Sequence, residues 1–302
     1  CPLQDVEDLP ADVFSRPDFL FKLANLGTSG PIPDDFDTPD WNEAAILTRN
    51  IPTLGTIRFA GPEHVVFNGT DTLNDRMYSS EGDDTLRGNG GNDWMEGGAG
   101  NDQFIGGLGN DILNDLFGDD VLKGGDGNDA LSSGQGFDLN QGGRGNDFIV
   151  GGSDPTETFG GPGNDIIFAG DSFDEVFGDD GDDWIEGGNG ADLLQGDNGF
   201  PFQNDPNGGH DVIIGGGGND DYDSEGGDDI MVTGPGIERN EGMLGFDWVT
   251  HRGDPQAGPQ MTTEFMAEIE KIDVVPDLPA RVVVNERTGP VIIGENVSVS
   301  AV

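Results

Sequence analysis

The chain has 302 residues, only 33% of them hydrophobic, with 53 glycines and a formal net charge of -46. That composition argues against one large conventional core and against nucleic-acid binding, since the excess acid repels phosphate. A single cysteine, Cys1, excludes an internal disulfide framework and a thiolate zinc cluster, and no apolar run of eighteen residues marks a transmembrane helix.

In chain order, residues 1–69 are Pro-rich and read as an irregular N-terminal cap, with a short helix expected around Asp12 to Leu26 and extended stretches ILTRNIP and GTIRFAG. The start on Cys1 rather than Met reads as a processing boundary of a longer protein, a lipid-bearing first cysteine being the alternative. Residues 70–78, TDTLNDRMY, hold Asp75 and Met77 in phase with the repeat that begins at residue 79 but lack its glycines, as a degenerate terminal repeat does.

From residue 79 to 250 a nine-residue unit, G-G-x-G-x-D-x-U-x with U apolar, keeps one register through eighteen turns. GGAGNDQFI (Gly97 to Ile105) and GGLGNDILN (Gly106 to Asn114) show it without departure. The sixth position is Asp at Asp84, Asp93, Asp102, Asp111, Asp120, Asp129, Asp138, Asp147, Asp165, Asp174, Asp183, Asp192, Asp211, Asp220, Asp229 and Asp247. Thr156 and Glu238 are the exceptions, and the eighth position turns polar at Asn140, Thr158 and Asn240. One insertion, GFPFQNDPNG, interrupts the run around Gly199 to Gly208. A disordered acidic linker has no reason to keep such a phase.

Residues 251–261 are a linker by composition. In residues 262–302, TTEFMAEIEK is expected to be helical, and ARVVVNERTGPVIIG reads as a hairpin turning at Asn285 to Gly289.

The nonapeptide is the repeat of RTX (haemolysin-type) proteins, and the chain resembles that family. The resemblance implies an all-β fold, a parallel β-roll in which two units complete one coil. It further implies Ca2+ bound between stacked turns by the sixth-position Asp residues and by carbonyls of the glycine-rich loops. The chemistry agrees, because calcium takes six to eight oxygens and glycine permits the positive φ that exposes carbonyls. Sorted by parity, one Asp ladder runs unbroken from Asp93 to Asp247 and the other, from Asp84, is interrupted at Thr156 and weakened at Glu238. Neighbouring Asp pairs set a ceiling of about 13 ions, which the insertion could lower by one.

Parity also sorts the outer faces. The sheet of the unbroken ladder presents Trp94, Ile112, Phe148, Ile166, Trp184, Ile230 and Trp248, with Val150, Phe168, Ile214 and Val232 beside them, whereas the opposite sheet presents Arg87, Lys123, Glu157, Glu175, Asp221 and Arg239. An apolar face of that length calls for a cover: the cap or another domain, or a partner or second copy.

Two further resemblances bear on the parent protein. Segments including LFGDDVLKGG and DDYDSEGGDDIMV look like the calcium-binding region of secreted bacterial proteins that carry an animal-type haem peroxidase domain, whose histidine motifs this chain lacks. EIEKIDVVPDLPARVVVNERTGPVIIGENVSVS resembles the flagellar P-ring protein over about forty residues. The three histidines, His64, His210 and His251, stand apart in sequence, and no catalytic motif is present, so catalysis is not expected. Taken together the residues predict a bacterial calcium-binding module, secreted by a type I route or held at the cell surface, that folds on meeting extracellular calcium. Its role would be structural, as a spacer, a self-assembling or adhesive scaffold, or a non-catalytic part of a peroxidase.

Overall fold

The computed structural model describes residues 47–51, 55–61, 64–197, 208–234, 236, 238–242, 244–251, 263–267, 269, 271–274, 281–285 and 289–293. The expected helix at Asp12 to Leu26, the linker and nearly all of the insertion lie outside them.

Among the described residues two sheets of 13 strands face each other, and no helix occurs. The chain alternates between the sheets: Thr85–Gly90 belongs to one, Trp94–Glu96 to the other, Gln103–Leu108 to the first again. Within the uninterrupted repeat run each strand pairs in parallel with the strand eighteen residues on, as in Trp94↔Ile112 and Thr85↔Gln103. This is an all-β parallel β-roll, two nonapeptides to a coil.

The nonapeptide builds the coil because six residues turn and three extend. Along the short strand side chains alternate, so positions seven and nine face out while position eight faces in. Trp94–Glu96 and Ile112–Asn114 show this alternation directly, with only the middle residue buried. The core is therefore a file of eighth-position side chains, Leu86, Met95, Phe104, Leu113 and Leu122 onward to Val249, all essentially inaccessible. Two polar members of that file, Asn140 and Thr158, lie one coil apart: Asn140 Nδ2 donates to Thr158 Oγ1 at 3.5 Å and to Ser133 Oγ at 3.1 Å.

The sheets extend beyond the nonapeptide run. At the start, Leu47–Ile51 and Gly55–Phe59 form an antiparallel hairpin whose second strand pairs in parallel with Arg76–Tyr78. At the end, the segment expected to be helical, residues 262–271, instead holds the strand Thr263–Ala267, and its last residue opens a second strand, Lys271–Val274, on the other sheet. A helix of that length is marginal alone, whereas an exposed parallel edge offers a full row of backbone partners. The hairpin read at Asn285 to Gly289 is present, Arg281–Asn285 pairing antiparallel with Gly289–Ile293.

The insertion leaves the register intact, since Trp184 pairs with Val212 as Ile166 pairs with Trp184.

Candidate metal centre

All sixteen predicted Asp residues are brought into two files along the edges of the roll, each no more than 3% exposed. Their side chains share one geometry. Oδ1 accepts the backbone N–H of the residue in the same position one coil earlier, as in Asp93 N–H to Asp111 Oδ1 at 2.7 Å and Asp84 N–H to Asp102 Oδ1 at 2.7 Å. Across the insertion the same bond closes from Asp183 to Asp211 at 2.8 Å and from Asp192 to Asp220 at 3.0 Å.

The second carboxylate oxygen is the informative one. From Asp84 through Asp229, every Asp of the two files has Oδ2 buried with no hydrogen-bond partner. An unsatisfied buried polar group costs about 1–3 kcal/mol, more when charged, and native folds retain few of them. Desolvation by burial accordingly raises these carboxyls: Asp93 and Asp147 to about 6, Asp111 and Asp165 to about 7, Asp183 to about 8 and Asp211 to about 9, with the neighbouring ladder carboxylates adding to the rise at Asp93, Asp111, Asp165, Asp183 and Asp211.

The first glycine of the unit frames the same space. A Cβ on Gly106 would collide with Asp111 Oδ2 and with the carbonyl oxygen of Gly124, and Gly124 and Gly142 repeat this with Asp129 and Asp147. Carboxylate and carbonyl oxygens thus converge on one gap per coil, and an all-oxygen, anionic donor set fits a hard cation such as calcium. Calcium bound there would neutralise the stacked acid, with the sixth-position Asp and the glycine carbonyls as its holders.

The ladders are not equivalent. Thr156 takes an Asp position in the second one, and both its N–H and its hydroxyl donate to Asp174 Oδ1, at 2.8 and 3.0 Å. Asp75 belongs to the first ladder, receiving Thr56 N–H on Oδ1 at 2.5 Å and donating its own N–H to Asp93 at 2.6 Å. Reading residues 70–78 as degenerate kept Asp75 out of the predicted set, although its phase was visible.

A third ladder was missed in sequence. The fifth-position side chain accepts the N–H of the next coil's fifth residue: Asn110 N–H to Asn92 Oδ1, Asn128 to Asn110, Asn146 to Asn128, each at 3.0 Å. The recurring Asn-Asp pair was its signal. His210 stands in this file, its Nδ1 accepting Asp228 N–H at 2.9 Å, which gives the histidine a structural place in the turn.

Fold and site together define a calcium-binding parallel β-roll. A family model, RTX calcium-binding nonapeptide repeat (4 copies), matches residues 69–104, 105–139, 141–154, 159–199 and 207–231, half of the chain, and the chain belongs to that family. A second model, flagellar P-ring protein, matches residues 253–302. Curated relatives resemble the same end. The flagellar P-ring protein of Geotalea uraniireducens is 58% identical over 41 residues, 14% of this chain and 11% of that protein. That of Geobacter sulfurreducens is 50% identical over 48 residues, 16% of this chain and 13% of the relative. The chain thus spans little more than a tenth of the curated relatives it matches. No solved structure matches.

Proposed function

We propose that this chain is a secreted, non-catalytic module that folds when calcium fills its Asp ladders and then serves as a rigid spacer outside the cell. One observation carries the reading: files of buried carboxylates whose Oδ2 atoms have no protein partner. Coils in a parallel sheet are about 4.8 Å apart, so neighbouring carboxylates repel by about 1 kcal/mol even in water. Desolvation adds to that at every coil, and the sum exceeds the 5–15 kcal/mol by which a typical domain is stable. Without a cation the ionised roll does not hold. A cation that binds only the folded form at a hundred times its dissociation constant returns about 2.7 kcal/mol per site. Low calcium inside a cell and roughly millimolar calcium outside then make export unfolded and folding outside the natural sequence. Asp75 adds no ion to the ceiling of about 13, because its Oδ2 already accepts Thr70 N–H at 2.6 Å and the Thr70 hydroxyl at 2.9 Å.

The test is far-UV circular dichroism during a calcium titration, with equal magnesium as control and chelator added last. A cooperative gain of β signal specific to calcium and reversed by chelator is expected. A spectrum that stays β-rich without calcium even at about pH 9, where the ladder carboxyls are ionised, defeats the proposal.

A second reading, self-association, draws on one outer face. In register along one sheet, Trp94, Ile112, Phe148, Ile166, Trp184 and Ile230 are between 36% and 44% exposed. The opposite face is less uniformly polar than expected, since Phe159 and Phe177 stack on it at 4.8 Å. Concentration-dependent sedimentation in calcium, lost in a Trp94→Glu/Trp184→Glu double variant, supports a second copy as the cover; a strict monomer excludes it. No described helix is long and apolar enough to cross a membrane.

A further inference from the structure

One gap in the second ladder differs from the rest. The unit DLFGDDVLK starts with Asp115 where the repeat places its first glycine. Eighteen residues earlier that position is Gly97, and eighteen later it is Ser133. The Asp115 side chain folds inward and is 1% exposed. Its Oδ1 is held by two backbone donors, Gly98 N–H at 2.8 Å and Leu116 N–H at 2.6 Å.

Its Oδ2 is buried and has no partner, and the same holds for Oδ2 of Asp102 and of Asp120. Ligand oxygens of these three residues all lie within 4.8 Å of one another, and among the described residues this is the one acidic group gathered so closely. Gly97 closes the space from the neighbouring coil: a Cβ there would collide with Asp102 Oδ2 and stand 2.7 Å from Asp115 Oδ2.

We propose that Asp102, Asp115 and Asp120 form a three-carboxylate calcium site, with Asp115 as an added ligand that the repeat pattern does not supply. The inference rests on the calcium reading given above and adds a specific hierarchy to it. An ordinary gap offers the carboxylates of two stacked Asp residues, so a divalent ion balances their charge. Here three carboxylates converge, and affinity in calcium sites rises with the number of charged ligands and with the rigidity of the site. Two backbone hydrogen bonds already hold Asp115 in place, so little side-chain freedom remains to be lost on binding. This gap therefore fills first as calcium rises, and the coils around Asp102 and Asp120 are where ordering starts.

The cost of Asp115 falls on the metal-free chain. A third buried carboxylate worsens the repulsion and desolvation at this point, so the same residue that tightens the loaded site makes the empty one less tolerable. Within the protein only the two backbone donors on Oδ1 offset this, since the charged groups acting on Asp115 are the carboxylates of Asp120 and Asp102.

The experiment is a calcium titration of the full chain against a competing chromophoric chelator, comparing wild type with Asp115→Gly and Asp115→Asn. Asp115→Gly restores the residue that the repeat itself uses, so the coil keeps its backbone. Asp115→Asn keeps the shape and removes one charge. In the wild type one ion is expected to bind at least tenfold more tightly than the remainder. Both variants should lose that tight class, keep the weaker sites within about twofold and reach the same circular dichroism at saturating calcium. An unchanged tight class in Asp115→Gly, or a wild type that binds calcium with no tight class, overturns this site alone. A wild type that binds no calcium overturns the underlying reading as well. If Asp115→Gly fails to fold in saturating calcium, Asp115→Asn decides: a retained tight class rejects the proposal and a lost one supports it.

Discussion

A sixth-position carboxyl in this roll binds its proton more tightly in the stacked state than in an unfolded chain, where Asp titrates near 3.9. Burial is the first cause, and the direction is the same at Asp84, Asp93, Asp129 and Asp174, each raised to about 6, and at Asp120 and Asp192, raised to about 7. For a raised acid the stabilisation is present below the unfolded value and is lost as pH climbs through the folded one. The chelated chain should therefore keep β signal near pH 4 and lose it between about pH 5 and 9; a chelated spectrum flat across that range speaks against the ladder. Calcium affinity should rise over the same window, with proton release measurable by calorimetry in buffers of different ionisation heat. At the neighbouring glycine, Gly106→Ala pushes a methyl into Asp111 Oδ2 and the Gly124 carbonyl, both in or beside the ligand set. At least a tenfold loss of affinity at one site is expected, read by the same titration, whereas an alanine at Gly61, whose Cβ would meet nothing, should leave it unchanged. The sixth-position Asp and eighth-position apolar residues were legible in the sequence because each repeats a single chemical demand every nine residues. Asp115 was not, because it sits where the pattern asks for glycine and only the fold shows that its carboxylate turns inward.

At the scale of an element, a strand here is three residues that mean little until the next coil arrives. That is why TTEFMAEIEK misled: its composition suits a helix, but the edge left open after Arg239–Glu241 recruits Thr263–Ala267, and the edge after Trp248–His251 recruits the strand that starts at its last residue, Lys271–Val274. Local pattern carries no information about an unpaired edge elsewhere. The parity of the outer faces was readable for the converse reason, because a strict period places Trp94, Ile112 and Ala130 in one row whatever their side chains are. The interruption at Thr156 is likewise an element property, dividing the second ladder into two shorter runs. Thr156→Asp should join them, raising the calcium count by up to two per chain as measured by native mass spectrometry and lowering the calcium midpoint of folding. An unchanged count would mean that the gaps on either side of Thr156 are already filled by other oxygens.

Over the whole molecule, the roll tolerates interruption wherever the chain leaves and returns at the same coil. The bonds that span the insertion, Asp183 to Asp211 and Asp192 to Asp220, match in length those within the uninterrupted run. Deleting residues 199–208 brings Asn198 onto Gly209 and leaves GDNGHD ending at Asp211, a unit of regular form. The calcium midpoint of that variant should stay within about twofold of wild type, since a shorter loop changes closure entropy by only about 1 kcal/mol spread over many cooperating sites. A collapse of the transition would show that the insertion packs on the roll. The insertion was visible as a break in phase, but that the ladders bridge it was not, because register across a loop is a matter of three-dimensional pairing.

Each coil bonds only to the coil before and the coil after, and the hairpins Leu47–Ile51 with Gly55–Phe59 and Arg281–Asn285 with Gly289–Ile293 sit at opposite ends of the series. Pulled along its axis, such a series carries the load through every coil in turn, and a terminal coil, held by one neighbour only, is the one expected to peel first. Every coil that peels away surrenders about 5 Å of rod and releases eighteen residues, roughly 60 Å of slack. If calcium holds the coils as proposed, such a series would extend by a length set by its repeat number and yield at a force set by the ions in the water around it.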